Sequence, residues 1–320
     1  RANIAYEFSE ALRIEGKEEL FVGSTFIEAA RNLIQSVTQS VETITNAIAS
    51  TESLIKSLSA DGIATKVPQI GSGKIYLDSN NDGIITEQEF LTNSDEKGVF
   101  VIPRDAGTGS IIVTGGIDLF TDTAFAGILS APIGSAVINQ LTTILQALIS
   151  SGNSIPEAKA VLESTLGIPT NIDIQRYDPI TVSSIETSSQ IEKIVALDLT
   201  SKSLQISNIF SQLSQAILLA DTSVTVESAV NRITSAFLAV FTEESNSELK
   251  LKDIGFIGNI FEKLSNDLTI FDSADQSKAL ASLISIGNEK LEEAESFRLL
   301  SKTAIVLQEN LGRAIVDTAK

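Results

Sequence analysis

The sequence predicts an α+β fold that is mostly helical, with a small β-sandwich-like domain between a long N-terminal helix and a C-terminal helical bundle. Apolar residues recur in steps of three and four over most of the chain, which is typical of helices. Between about residues 65 and 131 the pattern alternates instead, and Gly, Asp and Thr are frequent. A length of 320 residues is enough for two or three hydrophobic cores. We therefore predict three domains, 1–64, 65–135 and 136–320.

The N-terminal segment has the pattern of one long helix. Thr25 and Glu28 have the spacing of a capping box, in which two side chains bond the free backbone groups of a helix start. A narrow seam with alternating steps of three and four follows, and Asp61-Gly62 should end the helix. The seam consists of Ile27, Ala30, Ile34, Val37, Val41, Ile44, Ile48, Thr51, Ile55 and Leu58. Such a seam is typical of a coiled coil or of a long bundle helix.

The middle segment has the pattern of a small β domain. Three short runs rich in β-branched and aromatic residues, at about 74–77, 99–102 and 110–113, are separated by turn residues. We predict that each run forms a strand.

The remainder of the chain has helical periodicity. Predicted helices cover about 136–150, 154–167, 183–219, 274–286 and 288–319, with two more around Val226 and Ile254. Gly287 is expected to separate the last two, because glycine commonly ends helices. Most of the apolar stripes should form an ordinary core. The N-terminal seam is the best candidate for contact with another chain.

Composition excludes several classes of chemistry. The chain has no Cys, His, Met or Trp, so disulfides, thiolate or imidazole metal ligands and His-dependent catalytic triads are impossible. A net charge of −18 makes nucleic acid and anionic membranes poor partners. An uncharged stretch runs from Thr123 to Pro156, but Pro132, Gly134 and many polar residues interrupt it, so we predict no membrane span. No motif identifies catalytic residues, and we expect that the protein is not an enzyme.

One motif carries specific chemistry. Residues 78–89 fit the EF-hand-like loop pattern D-x-[DN]-x-[DN]-G-x5-E at every defined position. Calcium requires six to eight oxygen ligands, and the spacing of this pattern brings such oxygens together as the chain curls around a glycine, here Gly83. The predicted Ca²⁺ ligands are Asp78, Asn80, Asp82, the backbone carbonyl of Ile84, Thr86 and Glu89. The alternative is an acidic turn that binds no metal.

The flanks of this loop favour a structural role over a signalling one. A predicted strand enters the loop where a regulatory EF-hand has a helix, and the sequence contains one such loop, whereas sensors usually pair them. Asp95, Asp118 and Asp122 lie in other acidic turns. For each of them, a plain turn and a further calcium contact remain open.

The stretch 74–102 resembles the calcium-binding β modules of large bacterial cell-surface proteins, of the SdrD B-like or Cna B-like kind. The loop at 78–89 carries most of the resemblance, and 92–100 is a looser match to the turn and strand that follow it. Segments 115–118, 130–134 and 141–145 look like those found after such modules, although Gln140 stands where Pro often precedes Leu-Thr-Thr. The resemblance covers about 70–180 and implies an extracellular, calcium-loaded, surface-associated protein.

Together these observations lead to one preferred functional hypothesis. The protein is expected to be a calcium-stabilised structural or adhesion protein of a bacterial surface, outside the cell or attached to it. Self-association through helical seams could make it a filament or surface-layer subunit, with contact to cell surface or polysaccharide. A calcium-dependent protein-binding module and, less favoured, a carboxylate-based secreted enzyme are the alternatives. A start at Arg1 and the lack of Met predict a processed product or a piece of a longer protein.

Overall fold

The computed structural model describes residues 62–103, 106–119, 121–243, 249–265 and 274–318, together with Ile34, Gln35, Val37, Thr38, Ser40 and Val41. The chain divides into two compact units, Arg1–Ala60 and Asp61–Lys320. In the first unit the described residues are helical, and Thr38 donates a hydrogen bond to the carbonyl of Ile34 one turn earlier. The rest of the predicted N-terminal helix, including its capping box, lies outside the described residues.

The second unit begins with short antiparallel strands. The strands are β1 (Gly62–Lys66), β2 (Ile70–Gly71), β3 (Lys74–Asp78), β4 (Phe90–Asn93), β5 (Val99–Pro103), β6 (Ser110–Thr114), β7 (Ile117–Asp118), β8 (Thr123–Ala124) and β9 (Ile128–Pro132). They form a two-stranded sheet (β1-β5), a three-stranded sheet (β2-β7-β8) and a four-stranded sheet (β4-β3-β6-β9). The three strands predicted from sequence are confirmed as β3, β5 and β6.

Alternation along these strands builds a small core. Ile75 on β3, Val113 on β6 and Leu129 on β9 lie in one row across the four-stranded sheet and are all buried. Such cross-strand neighbours are the units that stabilise a sheet. Phe100 and Ile102 on β5 join the same core, which connects the sheets into one β region.

The outer edge of β9 is covered by the first helix. Thr143 Oγ1 accepts a hydrogen bond of 2.9 Å from the Ser130 N–H, and Thr142 Oγ1 donates one of 3.0 Å to the Ser130 carbonyl. These two bonds satisfy backbone groups that an exposed edge strand would present to another chain. The Leu-Thr-Thr segment therefore joins the β region to the helices.

Eight helices follow in the described part of the chain, so the predicted α+β, mostly helical fold class is confirmed. Side chains of Asn139, Ser154, Asp178 and Ser189 cap the starts of the first four. Within the described residues, every helix is too short or too polar to cross a membrane. The helices are α1 (Gln140–Ser150), α2 (Ile155–Leu166), α3 (Pro179–Ser184), α4 (Gln190–Ala220), α5 (Val226–Glu243), α6 (Ile254–Ser265), α7 (Ala274–Glu292) and α8 (Phe297–Thr318).

Two predicted helix boundaries are wrong. The helix expected over 183–219 is broken, because α3 ends at Ser184 and α4 begins at Gln190. Ser189 and Glu192 form a capping box at the new start, in which the Ser189 N–H donates to Glu192 and the Glu192 N–H donates to Ser189 Oγ. The helical periodicity of apolar residues continues across this break, so the periodicity alone does not reveal it.

The second error concerns Gly287, which does not end a helix but lies inside α7. A Cβ atom at this position would lie 3.0 Å from Asn208 Nδ2 on α4 and 3.1 Å from Leu307 on α8. Glycine is therefore used here for the close approach of three helices. That contact outweighs the modest cost of a glycine within a helix.

A charged contact joins the first strand to α3. Lys66 Nζ on β1 lies 2.9 Å from Asp178 Oδ2, and Asp178 Oδ1 accepts from the N–H groups of Ile180 and Thr181 at the start of α3. Burial would raise the pKa of Asp178, but the hydrogen bonds from Thr181 and Lys66 outweigh it and hold that pKa below its ordinary value. The carboxylate is therefore charged at neutral pH and binds Lys66 across the junction.

Candidate metal centre

The predicted calcium loop connects two strands of the four-stranded sheet. Asp78 is the last residue of β3, a short 3₁₀ turn covers Glu87–Glu89, and β4 begins at Phe90. The strand predicted to enter the loop is therefore confirmed, and the loop lacks the flanking helices of a regulatory EF-hand. β3 is an inner strand of this sheet. Asp78, at the start of the loop, pairs with Ser110 on β6, while the pairing of β3 with β4 ends at Tyr76.

Asp78 organises the first half of the loop. Its side chain is buried, and Oδ1 accepts a hydrogen bond of 3.2 Å from the Asp82 N–H. Oδ2 accepts one of 3.0 Å from the Gly83 N–H and one of 3.3 Å from Ser110 Oγ on the neighbouring strand β6. The chain is thus curled around this carboxylate, as the motif predicts for its first ligand.

Asn80 and Asp82 lie in the same curl. Asn80 Oδ1 accepts from the Asp82 N–H at 3.1 Å, and Asp82 Oδ1 accepts from the Ile84 N–H at 2.8 Å. Asn80 Nδ2 also donates to Asp82 Oδ2 at 2.8 Å. Gly83 has a φ of +70°, so the sharp turn predicted at the sixth loop position is present. The structure therefore brings the first three predicted ligand side chains together.

Glu89 is arranged differently from these three. Its Oε2 accepts hydrogen bonds from the Thr86 N–H at 3.1 Å and from Thr86 Oγ1 at 2.8 Å. The last two predicted side-chain ligands thus bond each other. Among the described residues, no cluster of three or more acidic side chains has the spacing to hold a metal ion.

The donor set nevertheless fits calcium by its chemistry. Asp78, Asp82 and Glu89 supply three carboxylates, and Asn80, Thr86 and the Ile84 carbonyl supply neutral oxygens, which are the ligands that a hard cation prefers. The backbone bonds around Asp78 hold the curl that such a loop needs. Rotation of the Glu89 side chain away from Thr86 would be required for it to reach an ion.

Three residues that support the loop were not identified from the sequence. Ser110 follows from strand pairing, because it lies opposite Asp78 in the β3–β6 register. Gly109 has a φ of +136°, and a Cβ there would lie 2.3 Å from the Asp78 carbonyl oxygen. Asn231 on α5 donates from Nδ2 to the Gly83 carbonyl at 3.3 Å, and its large sequence separation leaves no signal.

The other acidic turns have structural partners. Asp95 Oδ1 accepts from the N–H groups of Lys97 at 2.8 Å and Val99 at 2.7 Å, which closes the turn between β4 and β5. Asp118 is buried on β7, and its carbonyl accepts from the Asp122 N–H at 2.8 Å. These bonds place Asp95 and Asp122 in hydrogen-bonded turns. They favour the plain-turn interpretation over a further calcium contact for both residues.

Comparisons with protein-family models, with curated proteins and with solved structures each found no match. The resemblance to SdrD B-like and Cna B-like modules therefore stays a prediction from the loop motif.

Proposed function

We propose that this protein is an extracellular structural or adhesion protein of a bacterial surface whose β region is stabilised by one calcium ion. Asp78, Asn80, Asp82, the Ile84 carbonyl, Thr86 and Glu89 are the ligands in this proposal. The supporting observation is the curl of backbone N–H groups around the buried Asp78 carboxylate, beside Asn80 and Asp82. An acidic turn that binds no metal can form such bonds without matching the complete twelve-residue motif. The full match therefore favours a calcium site over an ordinary turn.

The proposed ion would act on stability rather than on signalling. The loop is part of a sheet at both ends, so a bound cation would fix β3, β4 and, through Gly83 and Asn231, helix α5. Single sites of extracellular modules bind calcium with Kd on the order of 10⁻⁴–10⁻³ M, which suits the calcium level outside cells. This affinity class is the reason for proposing a location outside the cell or at its surface.

Calcium is expected to raise the thermal stability of the full chain. At a concentration a hundredfold above Kd, binding contributes about 2.7 kcal/mol, which corresponds to a Tm increase of roughly 4–5 °C for a chain of this size. Scanning calorimetry with calcium and with a chelator measures this shift. Magnesium at the same concentration should have a much smaller effect, because it dehydrates reluctantly and demands a tighter octahedral site.

Glu89→Gln is the specific test of the ligand set. It keeps the size of the side chain and an oxygen for the Thr86 bonds but removes one negative charge, so calcium affinity should fall by about tenfold or more. Glu87→Gln, in the same 3₁₀ turn, is the matched control and should change affinity by less than about twofold. Equal losses in both variants, or a Tm that does not respond to chelator, would reject the site.

We further propose that the N-terminal seam binds a second copy of the chain. Within the described residues of that helix, Ile34 is 45% exposed, Val37 55% and Val41 56%. Three successive seam positions with this much apolar exposure favour a partner surface over an ordinary core face. A calcium-stabilised β region attached to a self-associating helix is the arrangement expected of a filament or surface-layer subunit.

Val37→Glu should weaken this self-association by about tenfold or more, because it places a charge in an apolar seam. Gln35→Glu adds a charge to the same helix outside the seam and should have little effect. Sedimentation velocity over a concentration series, with negative-stain microscopy in calcium, measures the outcome. A wild-type chain that stays monomeric at its highest soluble concentration would exclude the proposal, and so would equal effects of the two variants.

A further inference from the structure

The loop at 78–89 contains a dipeptide with covalent chemistry of its own. Asp82 is followed by Gly83, and the sequence has one other Asp-Gly step, Asp61–Gly62. The carboxyl group of an aspartate can be attacked by the backbone nitrogen of the next residue, which closes a cyclic imide. Glycine hinders this attack least, because it has no Cβ beside the attacking nitrogen.

The side chain of Asp82 is folded towards the nitrogen that would attack it. Asp82 is exposed, and its Oδ1 accepts a hydrogen bond of 2.8 Å from the N–H of Ile84, one residue beyond Gly83. Such an Asx turn places the carboxyl group over the peptide between its two ends, which here is the peptide of Gly83. Asn80 Nδ2 donates to the second oxygen, Oδ2, at 2.8 Å. These bonds hold the two reacting groups near each other, and proximity of this kind lowers the entropic part of a barrier.

The attacking nitrogen has a proton acceptor within reach. The Gly83 N–H donates a hydrogen bond of 3.0 Å to Oδ2 of Asp78, whose side chain is buried. A general base must lie within hydrogen-bond distance of the proton that it takes up, and Asp78 meets this requirement. Nucleophile, carboxyl group and proton acceptor therefore belong to the same curl of the chain.

We propose that Asp82 is a site of spontaneous covalent modification, at which it isomerises to isoaspartate. The Gly83 nitrogen forms a bond to Cγ of Asp82, in the neutral form of its carboxyl group, and the bond between Cγ and the hydroxyl breaks. The N–H proton passes to Asp78 and leaves with that hydroxyl as water. Water then opens the imide. Attack at Cγ restores aspartate, whereas attack at the main-chain carbonyl carbon leaves a backbone that runs through Cβ, and the water added balances the water released.

Asp95 offers a comparison within the same chain. It is also exposed, and its Oδ1 accepts from the Lys97 N–H at 2.8 Å, so its side chain forms the same kind of turn. The residue that follows it is Glu96, whose Cβ crowds the attacking nitrogen. Asp95 should therefore isomerise about tenfold or more slowly than Asp82.

Isomerisation would change the fifth position of the calcium motif. It adds the Cβ carbon of Asp82 to the backbone and leaves the carboxylate directly on Cα, so the ligand sits on a shorter arm of a longer chain. Calcium affinity of the modified protein should fall by about tenfold or more. This consequence rests on the proposed calcium function, whereas the isomerisation itself does not.

Calcium should protect Asp82 from this reaction. An ion held by Asp78 and Asp82 would engage the proton acceptor and the carboxyl group together. At a concentration a hundredfold above Kd, only about one loop in a hundred is free, so isomerisation should slow by about tenfold or more. Asp61–Gly62, the same dipeptide outside the loop, should keep its rate.

Peptide mapping by mass spectrometry measures the reaction. The full chain is incubated for weeks at physiological temperature and pH, once with chelator and once with calcium. Isoaspartate is located by its altered elution and by its diagnostic backbone fragments after electron-transfer dissociation. With chelator, it should accumulate at Asp82 about tenfold or more faster than at Asp95, and calcium should slow Asp82 but not Asp61.

Two variants locate the reactive residue. Asp82→Glu keeps a carboxylate but would require a larger ring, so isomerisation at this position should disappear. Asp95→Glu is the matched control and should leave the rate at Asp82 unchanged. Far-UV circular dichroism shows whether each variant is folded, and if Asp82→Glu fails to fold, the comparison of Asp82 with Asp95 in the wild-type chain decides the matter.

Two results would overturn the proposal. They are equal rates at Asp82 and Asp95 in chelator, and isomerisation of the loop peptide of a folded Asp82→Glu variant at the wild-type rate. A fast reaction at Asp82 that calcium does not slow would support the modification and count against the proposed calcium ligands. The two proposals therefore fail by different results.

Discussion

Replacement of Phe237 by Ala is expected to lower the free energy of unfolding by about 3–5 kcal/mol, because it opens a large cavity in the helical core. Phe237 on α5 is fully buried, and its ring lies 5.5 Å from the ring centroids of Phe210, Phe241 and Phe256. Three helices, α4, α5 and α6, meet at this cluster. Urea unfolding followed by far-UV circular dichroism measures the change in midpoint and in slope.

Phe90→Ala is the control for this substitution. Phe90 lies on the edge strand β4, is 41% exposed and contacts Tyr76 edge-to-face at 5.6 Å. Its removal should cost only about 1 kcal/mol, since little area leaves the core. Comparable losses in the two variants would contradict the assignment of the phenylalanine cluster as the centre of the helical core.

Asn288→Leu is expected to cost about 2–5 kcal/mol, although leucine is more hydrophobic and of similar size. Asn288 on α7 is fully buried, where its Nδ2 donates to the Leu251 carbonyl at 2.7 Å and its Oδ1 accepts from Asn208 Nδ2 at 2.9 Å. The substitution would leave both partners buried without a hydrogen bond. Each such orphaned group costs about 1–3 kcal/mol.

A double-mutant cycle separates this mechanism from a packing defect. In Asn208→Leu/Asn288→Leu, the mutual bond is absent from both sides, so the loss should be smaller than the sum of the single losses by about 1 kcal/mol or more. Asn171→Leu, at an exposed turn position, should change stability by less than about 0.5 kcal/mol. Additive losses would argue against the Asn208–Asn288 bond, and a neutral Asn288→Leu would exclude its importance.

These two asparagines belong to a polar line that crosses the helical core. Ser201, Gln205, Asn208 and Gln212 follow one another at helical spacing on α4 and are all buried. Ser201 donates to the Leu291 carbonyl at 2.9 Å, so the line bonds to α7 at two places along its length. Such directional bonds fix the register of two helices, which apolar side chains alone specify weakly.

The sequence allowed the strands and the loop motif to be predicted because both depend on short-range spacing. β3, β5 and β6 were recognised from runs of β-branched and aromatic residues, and these runs lie in the core of the sheets. The curl around Asp78 follows from residues within six positions of one another. The side-chain position of Glu89 was less predictable from the motif. In the structure its carboxylate accepts hydrogen bonds from Thr86 instead of lying with the other three side chains of the loop.

The predicted helix boundaries were wrong at two places where one signal in the sequence was overridden by another interaction. The apolar spacing continued across Ser189, whose capping box nevertheless starts a new helix there. Gly287 has the local character of a helix end, yet its contacts with Asn208 and Leu307 keep it inside α7. Distances to residues far along the chain decide such cases, and a single sequence does not contain them.

The sequence by itself determined the fold class, left oxygen atoms as the available metal ligands, and set the position of the predicted calcium motif. Absence of Cys and His excluded other metal chemistry, and local spacing placed the loop and most secondary structure. Tertiary structure alone decided that Asn231 supports the loop and that Thr142 and Thr143 cover an edge strand. The physical reason is that hydrogen-bond partners and cavities form between segments distant in sequence, whereas propensities and motifs act over a few residues.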